Sequence, residues 1–334
     1  MTTVRPSRRS ALTTFILTVA MIAFVAAGQG AGTDLRALAH PGSHRMLYVK
    51  AEGKPAVFVD VPNARDVGSA CFSPDGKQIA FDAVVFGDAP GRKILLVNAD
   101  GTSLQTLLDG CTPRWAADGK SLCVTCFTGS TPDETEIFQY ELASKKSKKL
   151  ADGRFGDWSP DGKQLVFARG GQTTPVGGTH FDSKLFVAKA DGSEAKEFTD
   201  GDWPAWSPDG RWIASCIHET YFPMPLLFTI DVATKKRTKL GAGFYRPQWA
   251  PDGKSIVANG MYFGGGRRVA EIAPVRFYLD KSRVEFIHLD LDMPWSPCFS
   301  QDGKSVLVIV DSAGGADLPA AKKGETKDAP GRKE

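Results

Sequence analysis

The chain has 334 residues, 42% of them hydrophobic, and a formal net charge of +3. This composition provides enough apolar residues for a large core and excludes an intrinsically disordered chain. Residues 1–27 contain three arginines and no acidic residue, so the rest of the chain has 38 basic and 38 acidic residues. That balance gives no basis for binding nucleic acid or anionic lipid.

The N-terminus has the pattern of an export signal. Arg5, Arg8 and Arg9 precede an apolar run that ends at the small residues Ala26 and Ala27. The run is short for a membrane span, and we predict a signal peptide over 1–27, with an uncleaved anchor helix as the alternative. The segment Ser-Arg-Arg-Ser-Ala-Leu at 7–12 leaves both the general and the twin-arginine export routes open. We therefore expect a periplasmic or secreted protein, with a linker over 28–45.

One nine-residue pattern recurs six times and organises the rest of the chain. The copies, each preceded by Phe or Trp, are SPDGKQIAF at 73–81, AADGKSLCV at 116–124, SPDGKQLVF at 159–167, SPDGRWIAS at 207–215, APDGKSIVA at 250–258 and SQDGKSVLV at 300–308. Asp and Gly suit a tight turn, and the apolar, β-branched residues after them suit a strand. Each copy therefore predicts two strands joined by a hairpin.

A second hairpin follows most copies, as in LLVNADGTSLQTLL at 95–108, so each repeat has the four strands of a propeller blade. The sixth copy has no such hairpin after it, whereas residues 46–60 form one that belongs to no copy. We expect residues 46–60 to complete the blade begun at 294–311. The sequence thus predicts an all-β, six-bladed propeller over 46–311 and a disordered tail over 312–334.

These motifs resemble the WD-like propeller repeat of the TolB-like family. The resemblance covers 46–311 and is most specific at Trp158 to Lys163 and at Trp206 to Gly210. In that family the propeller contacts peptidoglycan-associated lipoprotein and other envelope partners, so the resemblance implies an envelope-binding role. About eighteen residues separate the predicted cleavage site from the first strand, too few for the α/β domain that precedes the TolB propeller. We expect a stand-alone propeller.

No catalytic constellation accompanies the repeats. The sequence contains no nucleophile elbow, dinucleotide-binding fingerprint or phosphate-binding loop, and we assign no catalytic residue, metal or cofactor. His180 and His218 are the two histidines that channel-end loops could bring together, which leaves a metal-dependent polysaccharide lyase as the alternative function. The six cysteines form no disulfide framework, and Cys123 and Cys126 lie in a strand that points them to opposite faces.

The predicted binding residues lie around the central channel. Arginine and aromatic side chains contribute most of the energy at protein interfaces. We assigned ligand binding to four such residues in the short connectors that enter innermost strands: Arg114, Trp203, Tyr245 and Arg246. The predicted partner is an envelope protein or a cell-wall component bound at one mouth of the channel by a monomer.

Overall fold

The computed structural model describes residues 44–51, 57–59, 64–86, 90–129, 134–173, 180–217, 224–262, 271–280, 283–287, 295–303 and 305–312. The predicted signal peptide, most of the predicted linker and the predicted tail beyond residue 312 lie outside these residues. No helix in the described part is long and apolar enough to cross a membrane.

The described chain is built from β-strands. Their bounds are β1 His44–Ala51, β2 Val57–Val59, β3 Ala64–Phe72, β4 Gln78–Val85, β5 Gly91–Asn98, β6 Gln105–Asp109, β7 Cys111–Trp115, β8 Ser121–Phe127, β9 Thr135–Glu141, β10 Lys146–Asp152, β11 Arg154–Trp158, β12 Gln164–Arg169, β13 Gln172–Thr173, β14 His180–Phe181, β15 Lys184–Lys189, β16 Lys196–Asp200, β17 Asp202–Trp206, β18 Trp212–Ile217, β19 Leu226–Asp231, β20 Arg237–Ala242, β21 Phe244–Trp249, β22 Ser255–Tyr262, β23 Glu271–Tyr278, β24 Arg283–Phe286, β25 Trp295–Phe299 and β26 Ser305–Ser312.

These strands form an all-β propeller with four-stranded antiparallel blades. Five blades are each made from one contiguous stretch of chain: β3 to β6, β7 to β10, β11 to β16, β17 to β20 and β21 to β24. We number them blades 1 to 5. In blade 3 the small hairpin β13–β14 is inserted between the second and third strands.

A further four-stranded sheet combines the two ends of the described chain in the order β2-β1-β26-β25. β1 pairs antiparallel with β26 along its whole length, from His44 opposite Ser312 to Ala51 opposite Ser305. This pairing is the one that the unmatched hairpin at 46–60 predicts, with β1 beginning two residues earlier. We call this sheet the composite sheet.

The repeated turn is held by its own side chains. In the blade 3 copy, the Ser159 hydroxyl donates to Asp161 Oδ1 (2.6 Å) and accepts from the Gln164 N–H (2.9 Å). The Asp161 carboxylate also accepts from the Lys163 N–H (3.0 Å). Gly162 has a φ of 68°, a left-handed conformation that other residues adopt at a cost. The Ser159 hydrogen bond holds the pKa of Asp161 below its ordinary value.

The apolar core lies between neighbouring sheets. One cluster joins the composite sheet to blades 1 and 2 and includes Ile309, Phe81 and Leu122, all fully buried. Smaller clusters join blades 2 and 3, blades 3 and 4, and blades 4 and 5. The repeat tryptophans contribute to the same junctions: Trp115 Nε1 donates to the Cys71 carbonyl (3.3 Å) and Trp249 Nε1 to the Ala205 carbonyl (3.0 Å).

The first strand of each sheet is its innermost strand. These strands are β3, β7, β11, β17, β21 and β25, and each contacts the innermost strand of the next sheet in chain order. The last of them, β25, contacts β3. Their side chains therefore surround the axis of the propeller.

Candidate functional site

Each innermost strand runs between two structurally different ends of the axis. In blade 1 the strand begins with Ala64 opposite Val85, where the connection from β4 to β5 leaves the sheet, and ends with Phe72 opposite Ile79, next to the Asp-Gly turn. We call these the loop-side end and the turn-side end. In each of blades 1 to 5 the second strand ends and the third strand begins at the loop-side end.

A β-bulge occurs in every innermost strand. The pairing register with the second strand shifts just before the repeat aromatic in all six sheets. We call the residue three before that aromatic the bulge position; it is occupied by Ser69, Thr112, Phe155, Trp203, Arg246 and Ser296. All except Ser69 have a φ between 51° and 57°. Because the conformation recurs with different side chains, the fold imposes it and not a particular ligand.

Side chains of neighbouring strands satisfy the backbone at the bulge. Thr125 Oγ1 accepts from the Phe155 N–H (3.0 Å), and Asn259 Oδ1 accepts from the Ser296 N–H (2.6 Å). Asp82 Oδ1 accepts from the N–H groups of both Ser69 (2.9 Å) and Thr112 (3.0 Å). Each of these acceptors is on a second strand, so the bulge links a blade to its neighbour as well as to its own sheet.

The four predicted binding residues lie inside innermost strands, not in the connectors where we expected them. Arg114 is in β7, Trp203 is in β17, and Tyr245 and Arg246 are in β21. The connectors that enter β7, β17 and β21 are one residue long, because the outermost strand before each continues almost directly into the next innermost strand. A sequence pattern locates a turn better than the exact residue at which a strand begins.

Three side chains at bulge positions form a stack across blades 3, 4 and 5. The rings of Phe155 and Trp203 are stacked, with centroids 3.6 Å apart and planes 18° apart. The Arg246 guanidinium carbon is 4.3 Å from the Trp203 ring centroid. Since Phe155 covers one face of the indole at van der Waals distance, Arg246 covers the other. Tyr245 is next to Arg246 and packs against the apolar cluster that Trp203 also contacts.

Arg246 is the most buried member of this stack, with 6% of its surface exposed. Burial lowers the pKa of its guanidinium to about 10, and interactions with Tyr245 and Asp82 act in the opposite direction. Asp82 belongs to blade 1, which the composite sheet separates from blade 5.

Two buried charge clusters support the loop-side end. Arg154 and Asp202, each about 3% exposed, form an ion pair at 3.3 Å between blades 3 and 4. Arg154 also donates to the Gly170 carbonyl (2.9 Å) and the Ser183 hydroxyl (2.6 Å). In blade 1, Arg92 forms ion pairs with Asp82 and Asp66. Paired charges of this kind hold neighbouring strands in place and leave little net charge around the stack.

Arg114 lies apart from the other three predicted residues. It directly precedes Trp115, near the turn-side end, and it interacts electrostatically with Cys71, Cys298 and Asp157. Arg246 interacts instead with Asp82, Arg92 and Cys111. The two arginines share no neighbour among these groups. The structure therefore brings together Trp203, Tyr245 and Arg246 at the loop-side end and places Arg114 elsewhere along the axis.

Phe155 is the member of the stack that we did not predict. It occupies the same position of the repeat as Trp203 and Arg246, three residues before the repeat aromatic. Aligning the six copies by that aromatic would have placed all three residues in one ring. The signal was therefore present in the sequence, but only in the alignment of the repeats.

Within the described residues, no three His, Cys, Asp or Glu side chains are arranged to hold a metal ion. His218 and the side chain of His180, on which the metal-dependent alternative depends, lie outside the described part. All six thiols are free. Burial raises the pKa of Cys71 and Cys111 to about 12, so these thiols are uncharged at neutral pH. Cys123 is buried and Cys126 is partly exposed, as the alternation of a strand predicts.

Comparisons with solved structures agree on the class of protein, because the structure neighbours are TolB-like β-propellers. The putative TolB from Agrobacterium tumefaciens has a TM-score of 0.61 at 14% identity, over 81% of this chain and 99% of that one. TolB from Acinetobacter baumannii is 15% identical, with a TM-score of 0.49 over 81% of this chain, which spans 64% of it. Kuenenia stuttgartiensis hydrazine synthase has a TM-score of 0.52 at 16% identity, over 78% of this chain and 76% of that one.

At these identities the likeness defines the fold and not the activity. No protein-family description matches the sequence, and no curated protein is significantly similar to it. The class is an all-β propeller with four-stranded antiparallel blades, and any role beyond that has to be argued from the residues around the axis.

Proposed function

We propose that this chain is an exported, non-catalytic, TolB-like propeller that binds a protein of the cell envelope at its loop-side end. The observation that carries the proposal is the stack of Phe155, Trp203 and Arg246. These side chains come from three consecutive blades and converge at one end of the axis. Aromatic and arginine side chains held in place before binding are typical of interface hot spots, because little conformational entropy is lost on association.

We infer that the composite sheet is a sixth blade that closes the ring. Its strand β25 contacts β22 of blade 5 and β3 of blade 1, and its strands β1 and β26 also contact β3. Val59, Leu307 and Ile309 of this sheet belong to the same core cluster as blade 1. A closed ring keeps the loop-side end rigid, since each bulge position is then fixed by neighbours on both sides.

The stack favours a protein segment over a sugar as the ligand. A sugar ring binds an aromatic side chain by covering its face, but Phe155 and Arg246 already cover both faces of Trp203. The edges of the rings and the partly exposed Tyr245 remain available for contact. Ring edges and the Tyr245 hydroxyl group can contact a polypeptide segment that is inserted between the surrounding loops.

An exposed apolar side chain extends this surface outward. Phe127, the last residue of β8, is 42% exposed and lies at the loop-side end of blade 2. Val284 is also 42% exposed but belongs to β24, the outermost strand of blade 5. The two residues have the same exposed fraction at different places, so they form a matched pair for testing which surface binds.

We expect a photo-crosslinking residue at position 127 to form an adduct with a single envelope protein, and the same residue at position 284 to form none. After that protein is identified by mass spectrometry and purified, Phe127→Ala should raise its dissociation constant about tenfold. Val284→Ala should leave the dissociation constant unchanged. Both constants can be measured by isothermal titration calorimetry.

Two outcomes would contradict the proposal. Equal crosslinking at positions 127 and 284 would show that contact at the loop-side end is not specific. Co-sedimentation of the chain with purified, protein-free peptidoglycan, reduced by Phe127→Ala, would instead identify a cell-wall ligand. Export is tested separately, by N-terminal sequencing of the protein recovered from the periplasm, which should begin at residue 28.

A further inference from the structure

The residue just before the repeat aromatic forms a second ring around the axis, near the turn-side end. In order of the sheets it is Cys71, Arg114, Asp157, Ala205, Gln248 and Cys298. In this ring a side chain reaches the next blade: Cys71 Sγ donates to the Pro113 carbonyl (3.2 Å), and Asp157 Oδ2 accepts from the Trp206 N–H (2.8 Å). Neutral residues at four of the six positions show that the fold does not need a charge there.

Arg114 is the one basic residue in this ring. Its Nη1 is buried and has no hydrogen-bond partner among the residues that the structure describes. A guanidinium has five donors, and a buried donor without an acceptor is costly unless water or an ion satisfies it. The residue as a whole is half-buried, although Nη1 itself is buried.

The surroundings of Arg114 supply little negative charge. The thiols of Cys71 and Cys298 are buried, and burial raises the pKa of both, so they are neutral at physiological pH. Asp157 interacts electrostatically with Arg114 but forms no ion pair with it within the described chain, and one of its oxygens is engaged by Trp206. Burial raises the pKa of Asp157 as well, which weakens it as a counter-ion.

Asp157 and Gln248 complete a polar group around this end of the axis. Both are half-buried, like Arg114, whereas Cys71, Ala205 and Cys298 are buried. The Gln248 amide makes no hydrogen bond to any described residue. The ring therefore combines the guanidinium of Arg114 on blade 2, the carboxylate of Asp157 on blade 3 and the amide of Gln248 on blade 5. The other three sheets contribute small side chains.

We propose that the turn-side end binds a small carboxylate that carries a neighbouring hydroxyl or amino group. Arg114 holds the carboxylate, because the planar guanidinium fork matches its two oxygens. Asp157 accepts a hydrogen bond from the neighbouring donor. This site is independent of the loop-side end, and its ligand is a 2-hydroxy or 2-amino acid, either free or at the end of a larger molecule.

The test uses the purified full chain with three probes: glycolate, acetate and acetamide. Binding is followed by ligand-induced changes in the NMR spectrum at constant ionic strength. Glycolate should bind more tightly than acetate, and the neutral acetamide should not bind. Arg114→Gln should weaken glycolate binding about ten- to a hundredfold, the loss expected for a charged hydrogen-bonded pair. Asp157→Asn should reduce the preference for glycolate over acetate.

Unchanged glycolate binding in Arg114→Gln, or equal binding of acetamide, would overturn the proposal. Arg114→Lys provides a second variant that keeps the positive charge but loses the planar guanidinium. We expect this variant to bind glycolate with intermediate affinity. Affinity equal to that of the wild type would exclude recognition by the guanidinium. Phe127→Ala should bind glycolate as the wild type does. A failure of this site is thus distinguishable from a failure of the proposed partner surface.

Discussion

At the scale of single residues, the buried carboxylate of Asp82 connects two blades. Its carboxylate pairs with Arg92 and accepts from the N–H groups of Ser69 and Thr112, which belong to two different blades. Only 2% of Asp82 is exposed. A charge with these partners contributes little net stability when the pair is intact, but its loss removes one of the two ion pairs of the buried Arg92 and leaves two buried N–H donors without their acceptor.

Asp82→Ala should therefore destabilise the protein by about 3–5 kcal/mol, measured as the change in free energy of unfolding in urea. The control is Asp109→Ala on the same blade. Asp109 pairs with Lys93, but its side chain is 77% exposed, and an exposed pair contributes at most about 1 kcal/mol. Equal effects of the two substitutions would contradict the role assigned to Asp82.

At the scale of elements, the hairpin that begins each sheet depends on its glycine. Gly162 has a φ of 68° and no atom within 4 Å of the place where a Cβ would be. Any cost of substitution there comes from the backbone conformation and not from a clash. The same glycine conformation occurs in all six copies, with φ between 64° and 70°. This explains why Asp-Gly is kept in the copies that lack the preceding proline.

Gly162→Ala should lower the free energy of unfolding by about 1–2 kcal/mol, the cost of a left-handed residue with a Cβ. Gly162→Asn serves as the control because asparagine tolerates this conformation, and it should be less destabilising. Urea denaturation of both variants measures the difference. If the two substitutions had the same effect, the backbone explanation would be wrong.

At the scale of the whole molecule, the pairing of β1 with β26 joins the two ends of the described chain. Eight residues on each side pair in register, and β2 adds an outer strand to the same sheet. Without β1, the backbone groups of β26 that face it would be unpaired over the length of the strand. Such an edge is a template for aggregation, and the contacts between β1 and β3 would also be lost.

Deletion of residues 44–59 should therefore produce aggregated protein or a strongly lowered Tm, detected by size-exclusion chromatography and thermal unfolding. Deletion of residues 313–334 is the control, because no strand of the described sheets includes them, and it should leave the Tm unchanged. A soluble and cooperatively unfolding 44–59 deletion would show that the composite sheet is not needed for the fold.

The sequence alone was sufficient to predict strands, turns and their grouping into blades. Asp-Gly turns followed by β-branched residues are local signals, since the required backbone conformation depends on a few adjacent residues. The pairing of the first hairpin with the last strands was also predictable, because an unmatched half-repeat at each end implies that the two combine. The four predicted binding residues could be placed near the axis for the same reason, because each shortly precedes a repeat aromatic.

Aligning the repeats places Phe155, Trp203 and Arg246 at one position, but only the tertiary structure shows that their side chains stack. Trp203 and Arg246 are distant in sequence from Phe155, yet the ring places all three in one stack, and it places Arg114 at the other end of the axis. The bulge decides this outcome, because one extra residue in each innermost strand redirects the side chains that follow it. A bulge depends on acceptors such as Asp82 and Thr125 on other strands, so no local pattern of residues could reveal it.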